Sequence, residues 1–226
     1  MAKIKFGMMM TDARGKLGGQ VFSKNRGGSY IRTKVTPSNP RSSFQQAIRT
    51  LLSGFSQAWS SLTANQRSAW NGAVSNWSKT DIFGDIKNPT GKNLFVRLNT
   101  KAVNAGYSSM NDVPEKAELP VNDCTGVAID ISSTTVTLTG LTGAAGSRVV
   151  VYATPQLTAG TSNAKNKFRK IYDAVSNAVV PADIFTAYQN RFGALAVGQN
   201  VQFQVELVIA SGQSSVPTTY TATIQA

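Results

Sequence analysis

Hydrophobic positions change their spacing along this chain of 226 residues, and the change divides it into three parts. Between residues 44 and 62, apolar side chains recur every three or four positions, which is typical of one face of an α-helix. From residue 127 onward they alternate with polar or small residues, which is typical of half-buried β-strands. Residues 1–41 follow neither period. The pattern predicts an α+β protein with an extended N-terminal arm, a helical middle and a β-rich C-terminal part.

Three helices are predicted in residues 42–106. The first begins next to Ser42 or Ser43 and the second next to Thr63, and each of these residues is followed three positions later by a glutamine, the spacing of a capping box. Because the connection between these two helices is short, they are expected to form an antiparallel hairpin, with the tryptophans of the region in its core. A third helix over residues 93–105 is expected to stop at Gly106.

Composition changes again at residues 107–120, which hold two prolines and no periodicity. These features predict a linker that lets its flanking parts orient independently. The strands that follow favour a β-sandwich similar to immunoglobulin (Ig) or fibronectin type III modules. A helical insertion is predicted from Pro181 to Phe192, with Gly193 as its stop. The predicted divisions are a basic arm at 1–41, a helical region at 42–106, a linker at 107–120 and an Ig-like sandwich at 121–226.

The net charge of +12 is concentrated near the N-terminus. Ten of the 23 lysine and arginine residues lie within residues 1–50, where Asp12 is the one acidic residue. The C-terminal part is close to neutral. A basic segment of this kind indicates an acidic partner, which is either nucleic acid or an acidic protein surface.

Residues that could carry catalysis are scarce. The sequence holds no histidine and one cysteine, Cys124, so neither a Ser-His-Asp nor a Cys-His arrangement can form, and a zinc site would lack its usual ligands. Asp81 and Asp85 are close enough in sequence to bind calcium, but the repeated oxygen ligands of a dedicated site are missing, which favours turn-making aspartates. A glycan hydrolase would need paired carboxylates in a cleft, and no convincing pair is present. The sequence predicts no enzyme, no metal and no cofactor.

Two Gly-Lys pairs fail as phosphate-binding loops. The residue after Gly15-Lys16 is leucine and the residue after Gly91-Lys92 is asparagine, where a P-loop needs serine or threonine to hold magnesium. The first glycine of the motif is missing from both. Nor is there a run of about 18 apolar residues that would span a membrane, or an apolar stretch near the start that would indicate a secretory signal.

Residues 15–40 mix glycines, cations and scattered apolar side chains. One interpretation is an assembly arm, in which glycines let the backbone pass close to a neighbouring protein and apolar residues fill pockets on it. The alternative is nucleic-acid binding, because aromatic residues interleave with cations as they do in single-strand binders. The first interpretation is favoured. The predicted partner-binding residues are Lys16, Val21, Phe22, Lys24, Arg26, Tyr30, Arg32 and Lys34.

Three motifs together resemble a group of tailed-bacteriophage virion structural proteins. The motifs are G-G-x-V-F-S-x-N-R-x-G-x-Y-x-R from Gly18 to Arg32, a P-x-N-P turn from Pro37 to Pro40, and W-x-x-L-T-x-x-Q-R-x-A-W-N from Trp59 to Asn71. The likeness covers roughly residues 15–105, and the C-terminal strands are similar to the Ig-like modules that often decorate phage heads and tails. The resemblance names no catalytic residue.

What the resemblance implies is a structural component of the virion, assembled in the host cytoplasm. The leading expectation is an auxiliary or decoration protein, that is a minor capsid protein, anchored to neighbouring subunits by its N-terminal arm. Portal, collar or tail proteins are alternatives, as is a DNA-binding protein carried in the head. The expected partners are other virion proteins, such as major capsid or portal-proximal proteins, with weak non-specific DNA contact, no membrane and many copies in a symmetric assembly.

Overall fold

A computed structural model describes residues 2–36, 38–39, 41–119, 121–141, 146–158, 160–161, 164–175 and 184–225. These residues form a small N-terminal sheet, a helical part and a larger C-terminal sheet. The helices are α1 (Ser43–Ser61), α2 (Ala64–Gly72), α3 (Gly91–Asn104) and α4 (Ile184–Phe192). The strands before α3 are β1 (Ala2–Lys3), β2 (Gly15–Leu17), β3 (Gln20–Asn25), β4 (Gly28–Thr33), β5 (Lys79–Thr80) and β6 (Ile86–Lys87). The strands after α3 are β7 (Gly126–Asp130), β8 (Thr135–Thr139), β9 (Arg148–Ala153), β10 (Arg169–Val175), β11 (Asn200–Val208) and β12 (Thr218–Gln225).

Strands β1 to β4 form an antiparallel sheet in the order β1-β4-β3-β2, which we call the N-terminal sheet. Two-residue turns connect its longer strands: Gly18-Gly19 joins β2 to β3, and Arg26-Gly27 joins β3 to β4. Gly18 has φ 54°, in the left-handed region that glycine enters without steric cost and that hairpin turns require. The predicted extended arm is therefore folded back on itself as hairpins.

The helical part is organised around α3. Ser42 and Thr63 both cap helices, since their side chains accept hydrogen bonds from the backbone N–H three residues on, and the full capping box is confirmed at Thr63 with Gln66. The predicted antiparallel hairpin is wrong, because α1 and α2 both pack on α3 instead of on each other. Leu62 and Thr63, which connect the two helices, are both extended.

Aromatic side chains fill the core of the helical part. Phe95 of α3 lies at its centre, with ring centroids 6.2 Å from Phe55, 5.7 Å from Trp59 and 5.4 Å from Trp70. Trp70 is completely buried, and its indole N–H donates a 2.8 Å hydrogen bond to the carbonyl of Asn111. The tryptophans belong to a packed core, as expected, although the core lies between three helices.

Residues 107–119 join the helical part to the C-terminal sheet and are bonded to both. The Asn99 side chain on α3 donates to the carbonyl of Met110 and accepts from its N–H. At the other end, the Gln213 side chain bonds both the N–H and the carbonyl of Ala117. The Tyr107 hydroxyl donates to the carbonyl at the end of β11, 3.1 Å away. This connection is fixed by hydrogen bonds, unlike the flexible linker predicted.

The C-terminal sheet has six strands in the order β10-β9-β11-β12-β7-β8, and β12 with β7 is the one parallel pair among them. Strands β7, β8, β11 and β12 lie where alternation predicts strands. Strands β9 and β10 were not predicted, although the run Val149-Val150-Val151 is the kind of short β-branched segment that forms a strand covered on both faces.

Both faces of this sheet are covered. On one face α4 packs against β11, with the Tyr188 and Phe203 rings 6.1 Å apart, and α4 also contacts both edge strands, β8 and β10. On the other face Val150 and Val208 pack against Ala105 and Tyr107 from the end of α3. The described strands therefore form one sheet between helical layers: the α+β class is confirmed, and the two facing sheets of an Ig-like sandwich are not.

The helical insertion is confirmed over Ile184–Phe192, and Gly193 ends it with φ 91°. Its predicted start at Pro181 lies outside the described residues. The insertion is not a surface addition to the sheet, because Ile184, Phe185 and Tyr188 belong to the main hydrophobic core.

Candidate functional site

One side of the N-terminal sheet carries cations beside an aromatic ring. The register pairs Val21 with both Lys16 and Arg32, and it pairs Ser23 with Tyr30. Residues paired across an antiparallel sheet share a face, and so does every second residue along a strand. Lys16, Val21, Tyr30 and Arg32 therefore lie on one side, which we call the basic face. Both cations are exposed, and Val21 and Tyr30 are half-buried.

The opposite side of the N-terminal sheet is more apolar. Phe22 pairs with Ile31, and both side chains are half-buried. Leu17, on the edge strand β2, leaves 71% of its surface exposed on the same side. Lys24 stands at the far end of this side, where it pairs with Ser29.

The predicted partner-binding residues are thus divided between two sides. Lys16, Val21, Tyr30 and Arg32 form the basic face, whereas Phe22 and Lys24 lie opposite because adjacent residues of a strand point to opposite sides. The two remaining predicted residues, Arg26 in the β3–β4 turn and Lys34 just after β4, are exposed. The N–H of Lys34 donates to the carbonyl of Gly19, which extends the hairpin by one bond.

The N-terminal quarter of the chain has no core of its own. None of the described residues before Leu62 is buried. Met8 and Met9 are fully exposed, and Val35 exposes 67% of its surface. These apolar side chains are in contact with solvent and are available for binding.

Ion pairs attach the N-terminal sheet to the β5–β6 hairpin. Lys3 Nζ lies 2.7 Å from the Asp81 carboxylate, and Lys5 Nζ lies 3.3 Å from that of Asp85. Asp81 also accepts the N–H groups of Phe83 and Asp85, which confirms the turn-making role predicted for it. The hydrogen bond from Lys3, followed by those from the backbone, lowers the pKa of Asp81 to about 2.

The described residues offer little for covalent or metal chemistry. No group of three or more His, Cys, Asp or Glu side chains that could hold a metal ion occurs within them. Cys124 is buried, and burial raises the pKa of its thiol, which is the opposite of what a nucleophile needs. Lys16 lies inside β2 instead of between a strand and a helix, so it does not have the setting of a phosphate loop. The arrangement is suited to binding.

Two sequence signals could have revealed the N-terminal sheet. Gly18-Gly19 is a two-residue hairpin signal, and the apolar residues Val21 and Ile31 lie on strands of matching length on either side of a second glycine turn. No local sequence pattern predicts the ion pair between Lys3 and Asp81, because 78 residues separate the two partners along the chain.

Comparison of this chain with protein-family models, with curated proteins and with solved structures finds no significant match. In the part of the chain that the structure describes, no helix combines the length and the apolar character needed to cross a bilayer.

Proposed function

We propose that this chain is a structural component of a tailed-phage virion, and specifically an auxiliary or decoration protein held on the capsid by its N-terminal segment. The observation that carries the proposal is the absence of any buried side chain among the described residues before Leu62. A segment with regular strands and a long helix, but no core, is suited to complete its packing against a neighbouring subunit. The motif resemblance at residues 18–71 supports the same role.

The exposed apolar side chains of this segment provide binding energy for such an attachment. Met8, Met9, Leu17 and Val35 each expose more than half of their surface. Burying a side chain of this size contributes about 1.5–3 kcal/mol, so four together contribute about 6–12 kcal/mol. Part of this free energy offsets the loss of translational and rotational freedom on association. Attachment of many copies in a symmetric shell raises the overall binding strength.

The role that we propose is structural and involves no catalysis. The described residues hold no metal-binding cluster, and the sequence has no histidine to act as a general base. The proposed work of the chain is therefore to bury weak contacts in an assembly. The C-terminal sheet, which has its own core, is the part we assign to the outer side of the particle.

We also propose that the C-terminal sheet is a variant of the Ig-like module, in which α4 occupies part of the space of a second sheet. The support is that residues from β7 and β8 at one edge share a single core with residues from β9 and β11. Such a core, closed by a helix that contacts both edge strands, is suited to a rigid projecting module.

A test is incorporation of tagged full-length copies into particles, made in the cells that assemble the phage. The variant Leu17→Asp with Val35→Asp removes two exposed anchors, and Val197→Asp is a control with equal chemistry at an exposed site on the C-terminal sheet side. We expect the first to be lost from purified particles and the control to remain. Equal incorporation of both variants would remove the N-terminal anchoring role, and a map of the particle would assign the chain to the shell, portal, collar or tail.

The basic face favours one alternative function, DNA binding in the phage head. Lys16 and Arg32 are exposed and share this face with Tyr30, and Lys34, just after β4, is also exposed. If these three cations pair with phosphates, the logarithm of the affinity for duplex DNA should fall with the logarithm of salt concentration with a slope of about −3. Tight binding at physiological salt that Lys16→Glu and Arg32→Glu abolish would make DNA the partner of this face, whereas the virion proposal expects weak binding only.

A further inference from the structure

An open groove of about 1270 Å³ runs along the helical part of the protein. Its two long walls are helices, because the lining residues of each wall recur once per helical turn. Ile48 and Leu52 lie four residues apart on α1, and Val96, Thr100 and Asn104 lie four residues apart on α3. None of the N-terminal sheet strands contributes a residue to its lining.

The apolar wall of the groove is the part of the apolar stripe of α1 that lies outside the aromatic core of the helical part. At the C-terminal end of α1, Phe55 and Trp59 pack on Phe95. Closer to its N-terminus the same stripe continues through Ile48 and Leu52, which line the groove and expose 38% and 44% of their surfaces. Leu119 adds a further exposed apolar side chain at the rim.

The rim of the groove is strongly basic. Cationic side chains line it from three segments of the chain, namely Lys79 of β5, Lys92, Arg97 and Lys101 of α3, and Lys116 of the connection after α3. Lys101 is paired with the buried Glu206, at 2.5 Å. Within the described residues no ion pair is formed by Lys79, Lys92, Arg97 or Lys116, and Glu118 is the one acidic residue of the lining. The groove therefore presents uncompensated positive charge around an apolar floor.

We propose that this groove binds an amphipathic α-helix of a partner protein, with apolar residues on one face and aspartate or glutamate on its flanks. A groove lined by two packed helices, α1 and α3, with exposed apolar side chains on one of them, is the kind of surface on which a third helix lies in helix-in-groove complexes. The wall from Asn93 to Asn104 is about 17 Å long, which matches about three turns of helix. The volume also exceeds the roughly 300–1,000 Å³ of typical small-molecule sites. This site is separate from the attachment surface of the virion proposal, because it shares no residue with the exposed side chains of Met8, Met9, Leu17 and Val35.

A second copy of this chain is a poor occupant on charge grounds. Two chains of net charge +12 repel each other, and this chain has 11 acidic residues in all. Its densest acidic stretch, from Asp112 to Asp123, lies partly in the wall of the groove itself, so it is not free to enter the groove of a neighbour. Acidic flanks must come from another protein.

The test uses the full-length protein and a fluorescein-labelled 14-residue peptide, with leucine at every third or fourth position and glutamate between. Leu52→Asp should weaken its binding at least about tenfold, as expected for the loss of one buried apolar contact. Lys92→Glu should weaken it by about threefold, and less as salt is added. Val197→Asp and Arg67→Glu change an exposed apolar residue and an exposed cation outside the groove, and should leave affinity unchanged.

Two further peptides separate this site from simple charge attraction. A peptide of the same composition with its leucines scrambled, and one with lysine in place of glutamate, should both bind much more weakly. Equal binding of the scrambled peptide, or an unchanged affinity for Leu52→Asp, would overturn the proposal. Dimerisation in sedimentation velocity that Leu52→Asp abolishes would also overturn it, because the occupant would then be a second copy.

Discussion

The turn at Gly212 provides a measure of how firmly the C-terminal sheet is held against the helical part. Gly212 lies between β11 and β12 with φ 76°, directly against the last turns of α3. A Cβ atom added there would lie 2.8 Å from the carbonyl carbon of Leu98, a distance that real Cβ atoms essentially never show. Leu98 is buried, so its backbone cannot withdraw without disturbing the α3 core. We therefore expect Gly212→Ala to destabilise the whole protein.

Gly198→Ala is the matched control for this variant. Gly198 has φ 83°, similar to Gly212, but a Cβ atom there would meet nothing within 4 Å. Both variants carry the cost of placing alanine in the left-handed region, about 1–2 kcal/mol. Only Gly212→Ala adds the cost of overpacking, which is about 1–3 kcal/mol. The difference between the two isolates the contact with α3.

Thermal unfolding, followed by circular dichroism or calorimetry, gives the readout. For a protein of this size 1 kcal/mol lowers Tm by about 2–4 °C, so Gly198→Ala should lose about 2–8 °C. Gly212→Ala should lose a further ~2–12 °C, by the same conversion. If the two variants unfold at the same temperature, the turn is not packed on α3, and the helical part and the C-terminal sheet do not form one rigid unit.

Three other predictions follow from single residues. The Asp81 carboxylate, whose pKa the Lys3 ammonium holds near 2 against an ordinary value of 3.8, should stabilise the attachment of the N-terminal sheet above pH 4 and lose this effect as the pH falls towards 2. Protease cleavage of the sheet should rise over that range in the wild type and rise less in Asp81→Asn, which keeps the Lys5–Asp85 pair. Trp70→Phe should lower the free energy of unfolding in urea by about 2–4 kcal/mol, because it leaves the carbonyl of Asn111 without its donor and opens a cavity; a loss below about 0.5 kcal/mol would contradict this account. Cys124, a buried thiol of raised pKa, should react with Ellman's reagent only when urea unfolds the protein, and rapid reaction of the native chain would contradict its burial.

Local signals in the sequence determined most of the secondary structure. Ser42 and Thr63 cap helices where their glutamine partners predict them, and Gly193 ends α4 because glycine alone enters the required conformation cheaply. The alternation of Val201, Phe203 and their neighbours predicts β11 because a strand with polar neighbours between its apolar residues has a two-residue period. These features depend on contacts within a few residues, so the sequence carries them directly.

The candidate binding residues were found by composition, but their arrangement was not. Lys16 and Arg32 share a face only because Val21 lies between them in the register of three strands. A shift of one residue in that register would move Arg32 to the side of Phe22. The clustering of charge was therefore visible in the sequence, whereas the division into a basic and an apolar side required the sheet.

Tertiary packing alone decided how the elements are joined. Nothing in the first 62 residues indicates that α1 and α2 pack on α3 instead of on each other, because that outcome depends on Phe95, which lies more than thirty residues downstream of α1. The basic groove has the same origin: Lys79, Lys92 and Lys116 are unremarkable surface cations in the sequence, and the fold brings them around Leu52. Contacts between residues far apart in sequence are set by the simultaneous burial of several apolar faces, which no local pattern encodes.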